Sequence, residues 1–202
     1  MKNIKEFDSF KEFKDYANAS IIRKIGEGSE GDVYASAGGK IIKVISSDFR
    51  DRQYEDYKDD IIMADDLQLA SFIFPEELYL LHGRIIGYKE ERFEDNIFGD
   101  NIVASKVDLK KLIEARKRFI EDAKVMTDMK YRLFELPRNV LFNNKDLVAI
   151  DTLDYSKERR ITLEENIALL DYALLLELSS KYTDIDCNKP FDEEIQKVYK
   201  KS

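Results

Sequence analysis

The sequence predicts an α+β fold in which a small antiparallel sheet comes first and helices dominate afterwards. Residues 21–45 alternate strand-forming stretches with glycine-rich turns, as consecutive β-hairpins do. Residues 73–93 indicate two further antiparallel strands around a turn at His82 and Gly83. Residues 108–130 carry an apolar stripe at helical spacing, which is typical of a long amphipathic helix. We therefore expect a sheet-containing part over residues 1–93 and a mainly helical part over residues 94–202.

Composition and charge argue against several classes of function. The chain has 202 residues and a formal net charge of −8, whereas nucleic acids and anionic membranes attract a basic face. No apolar run approaches the roughly 20 residues of a membrane span, and residues 1–10 lack the apolar core of a secretory signal. The single cysteine, Cys187, cannot form an internal disulfide, so we expect a cytoplasmic protein. The single histidine, His82, lies in a predicted turn, which argues against histidine-based catalysis.

The glycine-rich stretch at residues 26–31, GEGSEG, is the strongest indication of function. Glycine lets a backbone approach a ligand closely, free amides in such a loop favour an anion, and Lys43 in the next apolar strand adds a point charge for a phosphate. A dinucleotide-binding motif of similar spacing needs a helix to begin within it, but the residues after Gly31 indicate a strand and a Gly-Gly turn. The alternative is an ordinary hairpin whose glycines serve its turns.

The stretch GEGSEGDVY, followed by the in-strand Lys43, resembles the glycine-rich loop of the protein-kinase superfamily. The resemblance covers about residues 20–175. It implies two lobes: a small lobe with a five-stranded antiparallel sheet plus a helix, and a reduced, mainly helical large lobe. It also implies that ATP lies under the loop. The residues it assigns to ATP binding are Ile25, Gly26, Gly28, Ser29, Gly31, Val33, Ile41 and Lys43.

Asn139 and Asp151 match the two metal-binding residues of that family. They bracket NVLFNNKDLVAID, which predicts a short hairpin over residues 139–151, and by the resemblance they hold Mg²⁺ against the ATP phosphates. The catalytic carboxylate is out of pattern. Its expected position is Phe134, and the nearest acid, Glu135, is the candidate that orients the acceptor hydroxyl. After Asp151 the chain has Thr152-Leu153-Asp154 where the family has Phe-Gly, and Asp154 is either a second metal contact or a helix cap.

Further helices are predicted over residues 4–17, 48–71 and 162–180. The first carries aromatic residues about three apart and is expected to pack that edge on the sheet. In the second, the resemblance calls for a carboxylate that holds Lys43; Glu55 is the best candidate, and Asp59, one turn later, is the alternative. In the third, Asp171 either braces the catalytic loop, as the resemblance implies, or is a surface or capping residue.

The resemblance leaves three functions open. The first is a phosphotransferase that uses Lys43, Glu135 and Asp151 to move the γ-phosphate of ATP, with Mg²⁺, to a Ser/Thr hydroxyl of a protein. The second is a pseudokinase that binds a nucleotide or a protein partner, which the missing acid at Phe134 motivates. The third is a small-molecule phosphotransferase of the aminoglycoside or choline kinase type. The expected partners are a nucleotide and a protein substrate or binding partner, with no nucleic acid and no membrane.

Overall fold

The computed structural model is α+β, as the sequence predicts, and divides into two compact units. The first unit comprises Met1–Gln68 and Ile73–Arg92, and the second comprises Leu69–Phe72 and Phe93–Ser202. The residues described are 3–28, 30–98, 107–134, 136–180 and 182–199. Within these ranges, no helix combines the length and the apolar character needed to cross a bilayer.

The first unit is built on a mixed six-stranded sheet. Its strands run in the spatial order β1-β5-β6-β4-β3-β2, and of the pairs formed by these described strands only β1 with β5 is parallel. The predicted five-stranded antiparallel sheet is therefore wrong by one strand, because β1 adds a parallel edge. The strands are β1 (Ile4–Phe7), β2 (Ile21–Gly28), β3 (Gly31–Ser36), β4 (Lys40–Ile45), β5 (Glu77–Leu81) and β6 (Arg84–Glu91).

The extra strand takes the residues predicted as the first turn of a helix over 4–17. Ile4–Phe7 pairs with β5, and helix α1 covers only Phe10–Asn18. Ser9 separates the two elements because its extended backbone and its side chain, which accepts a hydrogen bond from the Glu12 N–H, cap the helix. The aromatic spacing of three continues through this boundary, and so the sequence pattern could not show it.

Helix α1 covers one face of the sheet, as expected from its aromatic edge. Phe13 is fully buried among Phe7, Ile42, Tyr79 and Ile86. Its ring centroid lies 5.3 Å from that of Tyr79, in the range of favourable aromatic pairs.

The helix predicted over residues 48–71 is wrong. This segment contains a 3-10 turn at Ser47–Phe49, a single helical turn α2 (Tyr54–Tyr57) and mostly turns elsewhere. Three consecutive residues, 61–63, are buried. The many acidic residues of the segment would repel one another along a helix, which disfavours a long helix here.

The second unit is mainly helical, and the helices predicted over 108–130 and 162–180 are confirmed. The latter begins at a capping box in which Thr162 and Glu165 satisfy each other's backbone N–H groups. Strand β7 pairs with β10 and strand β8 pairs with β9, both antiparallel. The elements are α3 (Leu109–Asp128), β7 (Tyr131–Arg132), α4 (Leu136–Asn139), β8 (Val140–Phe142), β9 (Leu147–Ala149), β10 (Ser156–Lys157), α5 (Leu163–Ser179) and α6 (Phe191–Tyr199).

Candidate functional site

The glycine-rich stretch forms the end of a tight hairpin. Strands β2 and β3 remain paired up to Gly28 opposite Gly31, and Glu30 lies in the turn between them. Ser29, one of the residues expected at ATP, lies outside the described residues. The strand context predicted for this motif is confirmed, and the Gly38 and Gly39 turn that follows has the positive φ values, 74° and 72°, that favour glycine.

The glycines of this hairpin differ in how strictly the protein requires them. A Cβ on Gly31 would lie 2.2 Å from the backbone oxygen of Val44, so only glycine lets β3 approach β4 this closely. A Cβ on Gly26 would meet Val33 at 3.5 Å and one on Gly28 would meet Gly31 at 3.8 Å, both ordinary contacts. Packing within the protein therefore explains why residue 31 is glycine, but it does not explain the glycines at positions 26 and 28.

Lys43 lies on β4, on the sheet face opposite α1. Its neighbour Ile42 belongs to the core under α1, and alternate strand residues point to opposite faces. The Lys43 side chain is only 13% exposed. Its ammonium lies 5.8 Å from the ring centroid of Tyr88, its cross-strand partner on β6, within the range of a cation–π contact.

The other described residues expected at ATP differ in how closely their positions in the sheet approach Lys43. Gly26, Val33 and Lys43 are successive cross-strand neighbours, one on each of β2, β3 and β4. Ile41 lies two residues before Lys43 and so shares its face. Ile25 lies at a register irregularity between Lys24 and Gly26 and is 42% exposed.

The hairpin turn supplies a carboxylate to Lys43. Glu30 Oε2 lies 3.5 Å from Lys43 Nζ, and the Glu30 backbone oxygen accepts a 2.8 Å hydrogen bond from the N–H of Ser46. The sequence prediction named Glu55 for this role, but Glu55 pairs with Lys58 at 2.6 Å on the single turn α2 and is 73% exposed. The signal for Glu30 was the hairpin register, since pairing of Gly31 with Ile45 brings residue 30 beside the end of β4.

The second unit brings Asn139 and Asp151 to the same end of a hairpin, which confirms the predicted strand–turn–strand between them. Val140 pairs with Ala149, and the N–H of Ile150 donates a 2.9 Å hydrogen bond to the backbone oxygen of Asn139. The two side chains thus start from neighbouring backbone positions at the ends of β8 and β9.

Asp151 has a left-handed backbone, with φ 58° and ψ 42°, which non-glycine residues adopt at a cost. It precedes the 3-10 turn Thr152–Asp154, and that turn returns Asp154 toward it. A carboxylate oxygen of Asp154 lies within 4.8 Å of one from Asp151. Carboxylate and amide oxygens are the ligands that Mg²⁺ and Ca²⁺ prefer, so Asp151, Asp154 and Asn139 have suitable chemistry for a divalent cation.

Glu135, the expected catalytic carboxylate, lies outside the described residues. The chain that leads to it is fixed by Asn166 on α5, which sequence reasoning missed. Asn166 is fully buried, its Oδ1 accepts from the Leu133 N–H at 3.0 Å, and its Nδ2 donates to the backbone oxygen of Tyr131 at 3.0 Å and to Thr127 Oγ1 at 2.8 Å. The only sequence signal was a polar residue inside an apolar helical stripe.

Asp171, which the resemblance would place against this loop, instead forms a bidentate ion pair with Arg116 on α3, with distances of 2.6 and 2.7 Å. Burial raises the pKa of Asp171, and the hydrogen bonds from Arg116 oppose that rise. The Arg116 guanidinium also lies 4.7 Å from the ring centroid of Phe191. The ion pair of Asp171 with Arg116 therefore links helix α5 to helix α3.

Comparison with known proteins assigns no family to this chain. No family model matches it, and a search of curated proteins finds no significant match. Its function must therefore be inferred from the residues described above.

Proposed function

We propose that the protein binds ATP with Mg²⁺ and transfers the γ-phosphate to a serine or threonine hydroxyl of a protein. The observation that carries the proposal is the Lys43 side chain, which is only 13% exposed and lies on a sheet face beside the glycine-rich hairpin. Burying a lysine costs desolvation free energy. Groups held at that cost are enriched at functional sites, and a compact ammonium suits a phosphate.

The glycines of the hairpin support the same ligand. No protein atom would prevent a Cβ at Gly26 or Gly28. Their missing side chains are accounted for if a polyphosphate approaches the backbone closely. Val33 and Ile41, on the same face as Lys43, offer apolar surface for a base.

The hairpin of the second unit supports a metal. Asn139 and Asp151 offer oxygen ligands at the same end of the β8–β9 hairpin, and Asp154 offers another from the 3-10 turn that follows. The left-handed backbone of Asp151 is the kind of local strain that accumulates at functional sites. A divalent cation there would neutralise phosphate charge during transfer. Glu135 is the proposed group that orients the acceptor hydroxyl.

One observation favours the pseudokinase as a second candidate. The position expected to hold the catalytic acid is Phe134, and its ring lies 4.9 Å from the guanidinium of Arg132. Neither the Phe134 ring nor the Arg132 guanidinium can accept a proton from a hydroxyl. If Glu135 does not replace that acid, the chain binds nucleotide without transferring phosphate.

The test combines binding and transfer. Thermal unfolding is followed with ATP and MgCl₂, and transfer is followed with γ-labelled ATP toward the protein itself, casein, and a panel of aminoglycosides and choline. We expect a raised unfolding temperature, because a ligand of the folded state stabilises it, and transfer that EDTA abolishes.

Lys43→Met and Asp151→Ala should each abolish transfer. Their matched controls are Lys40→Met, on the same strand but the opposite face, and Asp146→Ala, at the other end of the same hairpin. Stabilisation without transfer would favour the pseudokinase, and labelled choline or aminoglycoside would favour the third function. Unchanged transfer in both site variants, or no stabilisation by ATP, would refute the proposal.

A further inference from the structure

Glu30 places a negative charge beside the ammonium that the proposed function assigns to a phosphate. Its Oε2 lies 3.5 Å from Lys43 Nζ, and this contact comes from the turn of the glycine-rich hairpin itself. We infer that Glu30 regulates the site as an internal competitor: its carboxylate and the nucleotide phosphates compete for Lys43, so Glu30 lowers the affinity for polyphosphate. This inference rests on the proposed function of Lys43.

The backbone of Glu30 is held in place by β4, so the contact with Lys43 does not depend on a loose loop. The Ser46 N–H donates to the Glu30 backbone oxygen at 2.8 Å, and Gly31 pairs opposite Ile45. The close packing of Gly31 on the Val44 oxygen keeps the strand at this distance. From that fixed position the Glu30 side chain reaches back along β4 to Lys43.

The environment of the pair favours competition over simultaneous binding. Lys43 is 13% exposed and Glu30 is 43% exposed, so solvent screens their interaction only in part. A phosphate within reach of Lys43 Nζ would lie beside the Glu30 carboxylate, and like charges at such distances disfavour each other. The side chain of Glu30 is exposed enough to swing into solvent when a phosphate takes its place.

The decisive variant is Glu30→Gln, which removes the charge and keeps the shape. Its matched control is Glu27→Gln, because Glu27 belongs to the same hairpin but pairs with Lys24 at 2.7 Å, away from Lys43. Isothermal titration calorimetry measures binding of ATP, inorganic tripolyphosphate and adenosine to each protein. Adenosine separates the phosphate effect from any general change in the fold.

We expect Glu30→Gln to bind ATP and tripolyphosphate about three- to fivefold more tightly than the wild type, the upper part of the range of a partly exposed charge contact. Adenosine affinity should stay unchanged, and Glu27→Gln should stay within about twofold for all three probes. The gain should shrink when salt rises from about 50 mM to about 500 mM, because salt screens the charge. Glu30→Asp, which keeps the charge on a shorter arm, should fall between Glu30→Gln and the wild type.

If the wild type binds ATP and Glu30→Gln binds it equally well or more weakly, the inference is overturned and the proposed function stands. An equal gain in adenosine affinity would also overturn it, since the effect would then not concern phosphate. Binding of ATP by none of the proteins would refute the proposed function and the inference together.

Discussion

Replacing Asn166 by alanine should destabilise the second unit by about 3 kcal/mol, since two buried backbone groups lose their hydrogen bonds to the Asn166 side chain. The Leu133 N–H and the Tyr131 carbonyl both lose their hydrogen bonds to Asn166, and both residues are buried. Each such loss costs about 1–3 kcal/mol, and the cavity left in the core adds to it. The Thr127 hydroxyl keeps its bond to the Ala123 oxygen, so it adds little.

The assay is denaturant unfolding followed by circular dichroism, together with hydrogen exchange at the Leu133 amide. Exchange there should speed up in Asn166→Ala, because the acceptor of that N–H is gone. The matched control is Glu164→Ala, an exposed residue in the first turn of the same helix, which should cost less than about 1 kcal/mol. A loss below about 1 kcal/mol in Asn166→Ala with unchanged exchange at Leu133 would refute the reasoning.

Three further predictions concern stability. Gly31→Ala should lower the free energy of unfolding by more than about 2 kcal/mol, because the added Cβ would clash with the backbone of Val44. The control Gly28→Ala should cost less than about 1 kcal/mol. Equal costs of the two changes in denaturant unfolding would contradict this. Burial raises the pKa of Glu77, but hydrogen bonds from two tyrosines and a lysine outweigh it and hold that pKa below the ordinary 4.5. Its stabilisation is therefore complete above the unfolded value and lost as pH falls through the folded value, so the wild type should lose more stability than Glu77→Gln between about pH 5 and pH 3 in a pH series of unfolding. Arg116→Met should cost about 3 kcal/mol of unfolding free energy by leaving Asp171 buried without its cation. Adding Asp171→Leu to the same chain should recover most of that loss. If denaturant unfolding shows no recovery, the argument is contradicted.

The glycine-rich hairpin, the long helix α3 and the β8–β9 hairpin were predictable because each is encoded locally. Turn glycines, alternating apolar residues and a helical stripe act over a few residues, and the sequence shows them directly. The same locality placed Asn139 and Asp151 at the ends of one hairpin. What these residues bind stays a prediction.

Other features were missed because they depend on partners distant in sequence. Strand β1 exists since residues 4–7 find β5 more than seventy positions later, while its aromatic spacing favoured a helix. The acidic segment 48–71 had a helical pattern, yet repulsion among its many acidic side chains opposes a long helix there. The sequence favoured Glu55 as the partner of Lys43, but Glu55 pairs with Lys58 at the end of its own helical turn.

The sequence by itself determined that a hairpin with three glycines precedes a strand that carries Lys43 within an apolar run, and that Asn139 and Asp151 flank a second hairpin. The tertiary structure alone decided that Glu30 lies on Lys43 and that Asn166, not Asp171, fixes the chain leading to residue 135. The physical reason is that local propensity sets which elements form, whereas strand register and side-chain burial set which charged and polar groups meet.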